Sequence, residues 1–229
     1  MHRIFLAILL LATGSAAASA AGGTAYGESL VFSAFRNGQP IGTHALTFRR
    51  EGGQLVVSTS IDFAVKLLGI TAYRYKHRSR EIWSGDQLQS ITSVTDDDGK
   101  HYKVSARQES NGLVVERETP GAVASDRGHE QVGAIRETMP SGLLPSTHWN
   151  MNQTKQSRLL NSQKGIQESI DVVRVGRETV KTVAGTLDAT RYTYSGSFRM
   201  DQWFDDRGRW VKSVFVAYDG SAIEYVLQE

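Results

Sequence analysis

Five of the six histidines, at positions 44, 77, 101, 129 and 148, are the first residues to test for acid–base or metal chemistry. No two of them stand at ligand spacing, and there is no His-Glu-x-x-His run. The spacing therefore predicts neither a metal nor any other cofactor. His44 and His148 are free to meet in space, and with His77 they would make the polar pocket of an envelope enzyme. The alternative at each position is a packed, satisfied imidazole, which the frequency of buried histidine favours. Asp96-Asp97-Asp98-Gly99 offers carboxylates, but it lacks the alternating oxygen ligands and distant glutamate of a calcium loop. Asp followed by Gly is ordinary hairpin-turn chemistry, and the same holds for Asp205-Asp206-Arg207-Gly208 and Asp219-Gly220. There is no Gly-x-Ser-x-Gly elbow for a serine nucleophile. The absence of cysteine excludes disulfides, thiolate metal sites and a cysteine nucleophile. No catalytic residue is assigned.

The densest chemistry lies between Tyr73 and Trp83. On a strand, side chains alternate across the sheet. Tyr73, Tyr75, His77, Ser79, Glu81 and Trp83 then share one face, and Arg74, Lys76, Arg78 and Arg80 share the other. The cationic row is either a docking surface for phosphate head groups, to which each arginine offers a forked donor, or a solvated outer face backed by a packed aromatic row. Upstream, Phe63, Val65, Leu67, Leu68 and Ile70 are too apolar for a plain exposed turn. They read either as core at a strand bend or as a lip over an acyl-chain cavity. The candidate ligand-binding residues are accordingly Phe63, Leu67, Leu68, Tyr73, Arg74, Tyr75 and His77, with Trp149 from the middle of the chain.

The elements that must position these residues are strands. Asn37-Gly38, Gly52-Gly53, Gly85-Asp86, Asp98-Gly99 and Asn111-Gly112 punctuate short alternating segments, as in consecutive hairpins. A second series runs from Ile170 to Leu227, with turns expected at Gly176, Gly185, Gly196, Asp206-Arg207-Gly208 and Asp219-Gly220. Between them, about residues 118–164, Pro120, Pro140 and Pro145 break the rhythm. This stretch predicts an irregular crossing connection with one helix, capped by Ser146 or Thr147 and running to about Leu160. The fold class is all-β: a mainly antiparallel meander of about ten strands, curled into a curved sheet or half-open β-barrel with one inserted helix.

Residues 1–20 carry a basic start at His2 and Arg3, the apolar run Ile4–Leu11 and a small-x-small site at Ala18-Ser19-Ala20. They read as a secretory signal peptide cleaved near Ala20. The expected product is a single β-rich domain over residues 21–229, soluble and periplasmic, with no transmembrane segment. The net charge of +2 points to no polyanionic partner, and nucleic acid is excluded as a partner.

Several of these stretches, taken in order, resemble a family of exported bacterial proteins known as domain of unknown function 6134. They are Phe35-Arg36-Asn37-Gly38, Ile41-Gly42-Thr43-His44, Tyr73-Arg74-Tyr75 with Trp83, Leu144 to Asn150, and Leu159-Leu160-Asn161. Trp203-Phe204-Asp205-Asp206, Asp219-Gly220-Ser221 and Glu224 to Leu227 complete the set, with Phe204 departing from an expected tyrosine. More distantly, the chain resembles the periplasmic lipoprotein carriers (lipoprotein localisation factors), whose half-closed barrel holds acyl chains. The resemblance implies a half-barrel fold and a lipid or acylated ligand, and it supplies no catalytic residues. The expected function is thus non-catalytic binding of an amphipathic ligand in a concave apolar face, with Arg74, Tyr75 or Trp149 meeting the polar head. The other readings are an enzyme around His44, His77 and His148, or a structural partner in an envelope complex. Ligand identity and oligomeric state stay open.

Overall fold

The computed structural model describes residues 26–120, 123–124, 130–131 and 134–228. The proposed signal peptide and His129 lie outside them. The first hairpin series is β1 (Ser29–Arg36), β2 (Gln39–Glu51), β3 (Gln54–Leu67), β4 (Ile70–Ser84), β5 (Gln87–Asp97), β6 (Lys100–Glu109) and β7 (Gly112–Glu118). Two short strands, β8 (Val123–Ala124) and β9 (Glu130–Gln131), pair with each other. Then come β10 (Ala134–Met139), β11 (Leu144–Pro145) and β12 (Arg158–Leu160). The second series is β13 (Gln167–Thr182), β14 (Gly185–Gly196), β15 (Met200–Phe204), β16 (Trp210–Val216) and β17 (Ala222–Leu227).

All but β8 and β9 belong to one 15-stranded sheet in the order β10-β7-β6-β5-β4-β3-β2-β1-β17-β16-β15-β14-β13-β12-β11. The first and last strands of the meander, β1 and β17, pair antiparallel and join the two series. Among the described residues, the sheet does not close by hydrogen bonding. Instead the segment between β10 and β13 bridges its two ends. The Ser93 hydroxyl donates to the Ser162 carbonyl, and the Arg117 guanidinium donates to the Gly165 carbonyl at 2.8 Å. The curled sheet encloses Phe32, Leu46, Trp83, Leu159, Leu160, Tyr194, Phe204, Trp210 and Leu227, all almost fully buried.

The all-β half-barrel is present with more strands than the ten or so expected, and three further details differ from expectation. No α-helix forms between 146 and 160. The segment makes a single 3₁₀ turn, Met151–Lys155, whose start is capped by the Asn150 side chain accepting from the Asn152 amide. Trp149, Leu159 and Leu160 reach the core from extended backbone on either side, so no apolar stripe at helical spacing exists to stabilise a helix. Leu144–Pro145 forms a short parallel pair with Leu159–Leu160 inside the stretch expected to be an irregular connection. Gly176 makes no turn either. It sits in a bulge inside the continuous strand β13, where the pairing with β14 shifts between Arg174 and Gly176.

Candidate functional site

The alternation along β4 sorts the chemistry as the residue pattern predicts. His77, Ser79, Glu81 and Trp83 are buried, Tyr75 is half-buried, and Arg74, Lys76, Arg78 and Arg80 are exposed. Arg78 donates to the backbone carbonyls of Ile61 and His77, and Arg80 pairs with Glu51 at 3.1 Å. These two cations are therefore committed to the outer face of the sheet. A groove of about 520 Å³ runs along that face, lined by Lys76, Arg78, Val94, His101, Tyr102 and Lys103.

Inside the barrel, one rung of the sheet carries Phe32, His44, Ile61, His77 and Thr95 on adjacent strands. His148 comes down onto this rung from the bridging segment with its backbone at φ +70. Its ring lies 5.9 Å from that of His44 and 5.2 Å from Trp210, and Trp210 stacks on Phe32 at 3.9 Å. His44 and His148 thus meet. The His148 Nδ1 lies 2.9 Å from the Gln202 side-chain nitrogen, and the His77 Nδ1 lies 2.8 Å from the Thr95 hydroxyl. Both His44 ring nitrogens, the Gln202 oxygen and the Thr59 and Ser79 hydroxyls are buried without a protein hydrogen-bond partner. Burial pushes all three imidazoles down. His77 falls to about 4 with help from Arg78, His148 to about 4 with help from His77, and His44 well below the usual range with both other histidines adding. A neutral, uncharged set of donors and acceptors results. Among the described residues, no group of three His, Cys, Asp or Glu side chains is placed to hold a metal ion.

Four positions beyond His77 along β4, Glu81 is fully buried. It accepts from the Trp83 indole at 2.8 Å and from the Trp149 indole at 3.1 Å. Trp149 also packs edge-on against Trp83, Tyr26 and Phe48. It is only 7% exposed and sits at the end of the interior away from Tyr75, six β4 positions beyond it by way of Glu81. Trp149 therefore takes no part in a mouth. Its indole N–H needs a buried acceptor, and Glu81 supplies one at that level.

At the opposite end, the rim, Phe63 stacks on Tyr75 at 5.9 Å and lies 5.8 Å from Tyr225, which contacts Phe215 at 5.5 Å. The Tyr75 hydroxyl donates to Gln163 of the bridging segment at 3.1 Å. Val65 pairs with Tyr73 and Leu67 with Ile70 along the same hairpin, out to an exposed Leu67 and Leu68. Of the candidate ligand-binding residues, Phe63, Tyr75 and His77 face the interior together. Leu67, Leu68 and Tyr73 lie at the projecting hairpin, and Arg74 faces outward. Tyr225 lies in the Glu224–Leu227 stretch that carries the family resemblance, whereas Gln202, Thr59 and Trp210 belong to no motif. Their only sequence mark is inward alternation on strands, a property shared with ordinary core residues.

The family described as Domain of unknown function (DUF6134) matches residues 32–228. The chain belongs to this family. The match spans the sheet from β1 to β17 and includes every interior residue named above except Tyr26. No curated protein matches the sequence of this DUF6134 member. Among solved structures it is similar to the crystal structure of a beta-barrel-like protein of domain of unknown function DUF1849 from Brucella abortus. The TM-score is 0.58 at 9% identity, covering 88% of this chain and 95% of that one. At that identity the likeness bears on the fold alone. Among the described residues, no helix is long and apolar enough to cross a membrane.

Proposed function

We propose that this DUF6134 protein is exported to the periplasm and is a non-catalytic binding module for a lipid or other acylated ligand. The ligand is held at the rim of the half-barrel. The observation that carries this reading is the apolar strip that runs along one hairpin, from exposed Leu67 and Leu68 through Val65 and Tyr73 to the stacked pair Phe63 and Tyr75. An acyl chain laid along it leaves water at one end and meets the aromatic rim at the other. Each buried methylene is worth about 0.8 kcal/mol, so one chain of modest length suffices. The Tyr75 hydroxyl and Arg74 stand where a polar head would emerge. The interior below the rim is filled by Trp210, stacked on Phe32 and His148, with His44 edge-on, so the rim, rather than a deep hollow, is the binding region. Mass spectrometry of organic extracts of the purified protein, with uptake of a fluorescent fatty acid, tests this. Bound lipid and saturable uptake are expected. A clean extract together with no uptake would overturn the assignment.

A second reading has one specific observation in its favour. His44, His148 and Gln202 converge, and buried polar atoms among them have no protein partner. Buried groups of this kind recur at sites that do chemistry. An enzyme of this type would lose a measurable turnover on His44→Ala and on His148→Ala while retaining its thermal transition. Unchanged turnover in both variants, or none in the parent protein, would dismiss it.

A further inference from the structure

The β3–β4 turn differs in composition from its neighbours on the same rim. Leu67, Leu68 and Ile70 are 67%, 96% and 73% exposed. Leu68 is held at φ +51, a left-handed conformation that a leucine side chain adopts only at a cost. The corresponding place is filled by Asn37 in the β1–β2 turn and by Asp98 in the β5–β6 turn. Single exposed apolar residues are ordinary. A projecting group of them, kept in an unfavourable backbone conformation, marks an interaction surface.

The surroundings of the tip say what it meets. Lys66, Arg74 and Lys76 make no ion pair among the described residues. The carboxylates of the β5–β6 turn keep their charge but stand no nearer the tip than Arg74: Asp97 pairs with Tyr75, and the Asp98 amide donates to the Arg74 carbonyl. Asp96 accepts from the Gly99 amide at 2.8 Å, Asp97 from the Tyr73 hydroxyl at 2.6 Å, and Asp98 from the Arg74 amide at 3.2 Å. Strand rise is about 3.4 Å per residue, so Leu68 reaches about 7 Å beyond Lys66 and about 14 Å beyond Arg74. Apolar side chains of interfacial anchors sit about 5–10 Å into the boundary between head groups and acyl chains. Basic side chains behind such a tip lie at phosphate level, and tyrosine prefers that same layer. On the same rim, the β16–β17 turn presents a fully exposed Tyr218 beside exposed Val216.

We infer that the β3–β4 hairpin is a bilayer anchor: Leu67, Leu68 and Ile70 enter the surface of an anionic phospholipid membrane while Lys66 and Arg74 engage lipid phosphates. This goes beyond ligand binding at the rim and holds whether or not the rim takes a ligand.

Vesicle co-sedimentation of the purified protein tests it, with vesicles of phosphatidylcholine alone and of phosphatidylcholine mixed with phosphatidylglycerol. The protein should pellet with the anionic vesicles at low salt and be released at high salt. A Leu67→Ser, Leu68→Ser, Ile70→Ser variant should bind at least about tenfold more weakly. A Lys66→Gln, Arg74→Gln variant should lose the preference for anionic vesicles. Protein that stays in the supernatant with both vesicle types, a triple variant that binds as the parent does, or equal binding to both vesicle types in the parent would overturn the inference. So would tip-dependent dimerisation without vesicle binding, which would assign the tip to a second copy of the chain. Should the triple variant fail to fold, Leu68→Trp serves instead. Its indole emission should shift to the blue on anionic vesicles, and unshifted emission would overturn the inference.

Discussion

Trp149 and Glu81, 68 residues apart in sequence, meet through an indole N–H to carboxylate hydrogen bond of 3.1 Å in a fully enclosed site. The contact ties the bridging segment to β4. Glu81 also takes the Trp83 indole, so one carboxylate oxygen satisfies two buried donors. Removing it orphans both. Each unsatisfied buried donor costs about 1–3 kcal/mol, so Glu81→Ala should lower stability in urea melts by about 2–5 kcal/mol. Glu81→Gln keeps a carbonyl acceptor and should lose far less. Equal losses in the two variants would disprove this role of the hydrogen bonds.

The same carboxyl makes stability depend on pH. Burial raises Glu81 to about 7, opposed by the indole hydrogen bonds from Trp149 and Trp83. A carboxyl raised in the folded state binds its proton more tightly there than in the unfolded chain. Its stabilising contribution is complete below the unfolded value near 4.5 and disappears as pH rises through about 7. The melting temperature of the parent protein, measured against Glu81→Gln, should therefore fall between pH 5 and pH 8. A constant difference across that range would show that Glu81 is already ionised in the fold.

The histidines act in the opposite sense. Their folded values lie below the ordinary 6.5, so the unfolded chain binds more protons as pH falls. Their contribution is complete above about 6.5 and is lost as pH falls through about 4. NMR of the imidazole resonances should show His77 and His148 still neutral at pH 5.5. His77→Gln should soften the acid limb of the stability curve. Protonation of either ring near pH 6.5 would mean that water reaches the interior freely.

Gly42 sets how closely β2 approaches β3. A β-carbon added there would fall 1.9 Å from the Asp62 carbonyl oxygen, and its φ of +152 already excludes most side chains. The residue pairs with Phe63 and stands two positions before His44, so it controls both the rim and the interior rung. Gly42→Ala should cost about 2–4 kcal/mol by chemical denaturation, through backbone displacement rather than a lost contact. A variant as stable as the parent would show that the sheet opens there at little cost.

The strand ladder could be read from sequence because hairpin meanders are local. Asn-Gly and Asp-Gly pairs mark the turns, and period-two alternation names the buried face, so the split of Tyr75, His77 and Glu81 from Arg74, Lys76 and Arg80 follows directly. The bridging segment resisted because its order comes from distant partners. Trp149 is fixed by Glu81, and Gln163 by Tyr75 and Asp97, so neither leaves a local pattern. Gly176 misled for a related reason. A glycine in a bulge and a glycine in a turn look alike until the pairing strand is known. The meeting of His44 with His148 depends on that same segment folding back over the sheet, and local spacing cannot report it.

Leu68 separates folding from interaction in a single substitution. In a two-residue hairpin turn with positive φ at both central positions, asparagine followed by glycine is the favoured pair. Leu68 at φ +51 precedes Gly69 at φ +83, so the backbone is already that turn with the wrong first residue. The leucine side chain is 96% exposed and returns almost nothing in packing. Leu68→Asn should therefore raise stability by about 1 kcal/mol, visible as a higher melting temperature. If the tip works against a membrane, the same variant should bind anionic vesicles more weakly than the parent. A gain in stability with undiminished vesicle binding would leave Leu68 without a role at the surface. A loss of stability would mean that the leucine is supported by contacts within the fold, and that its exposure is not what holds it there.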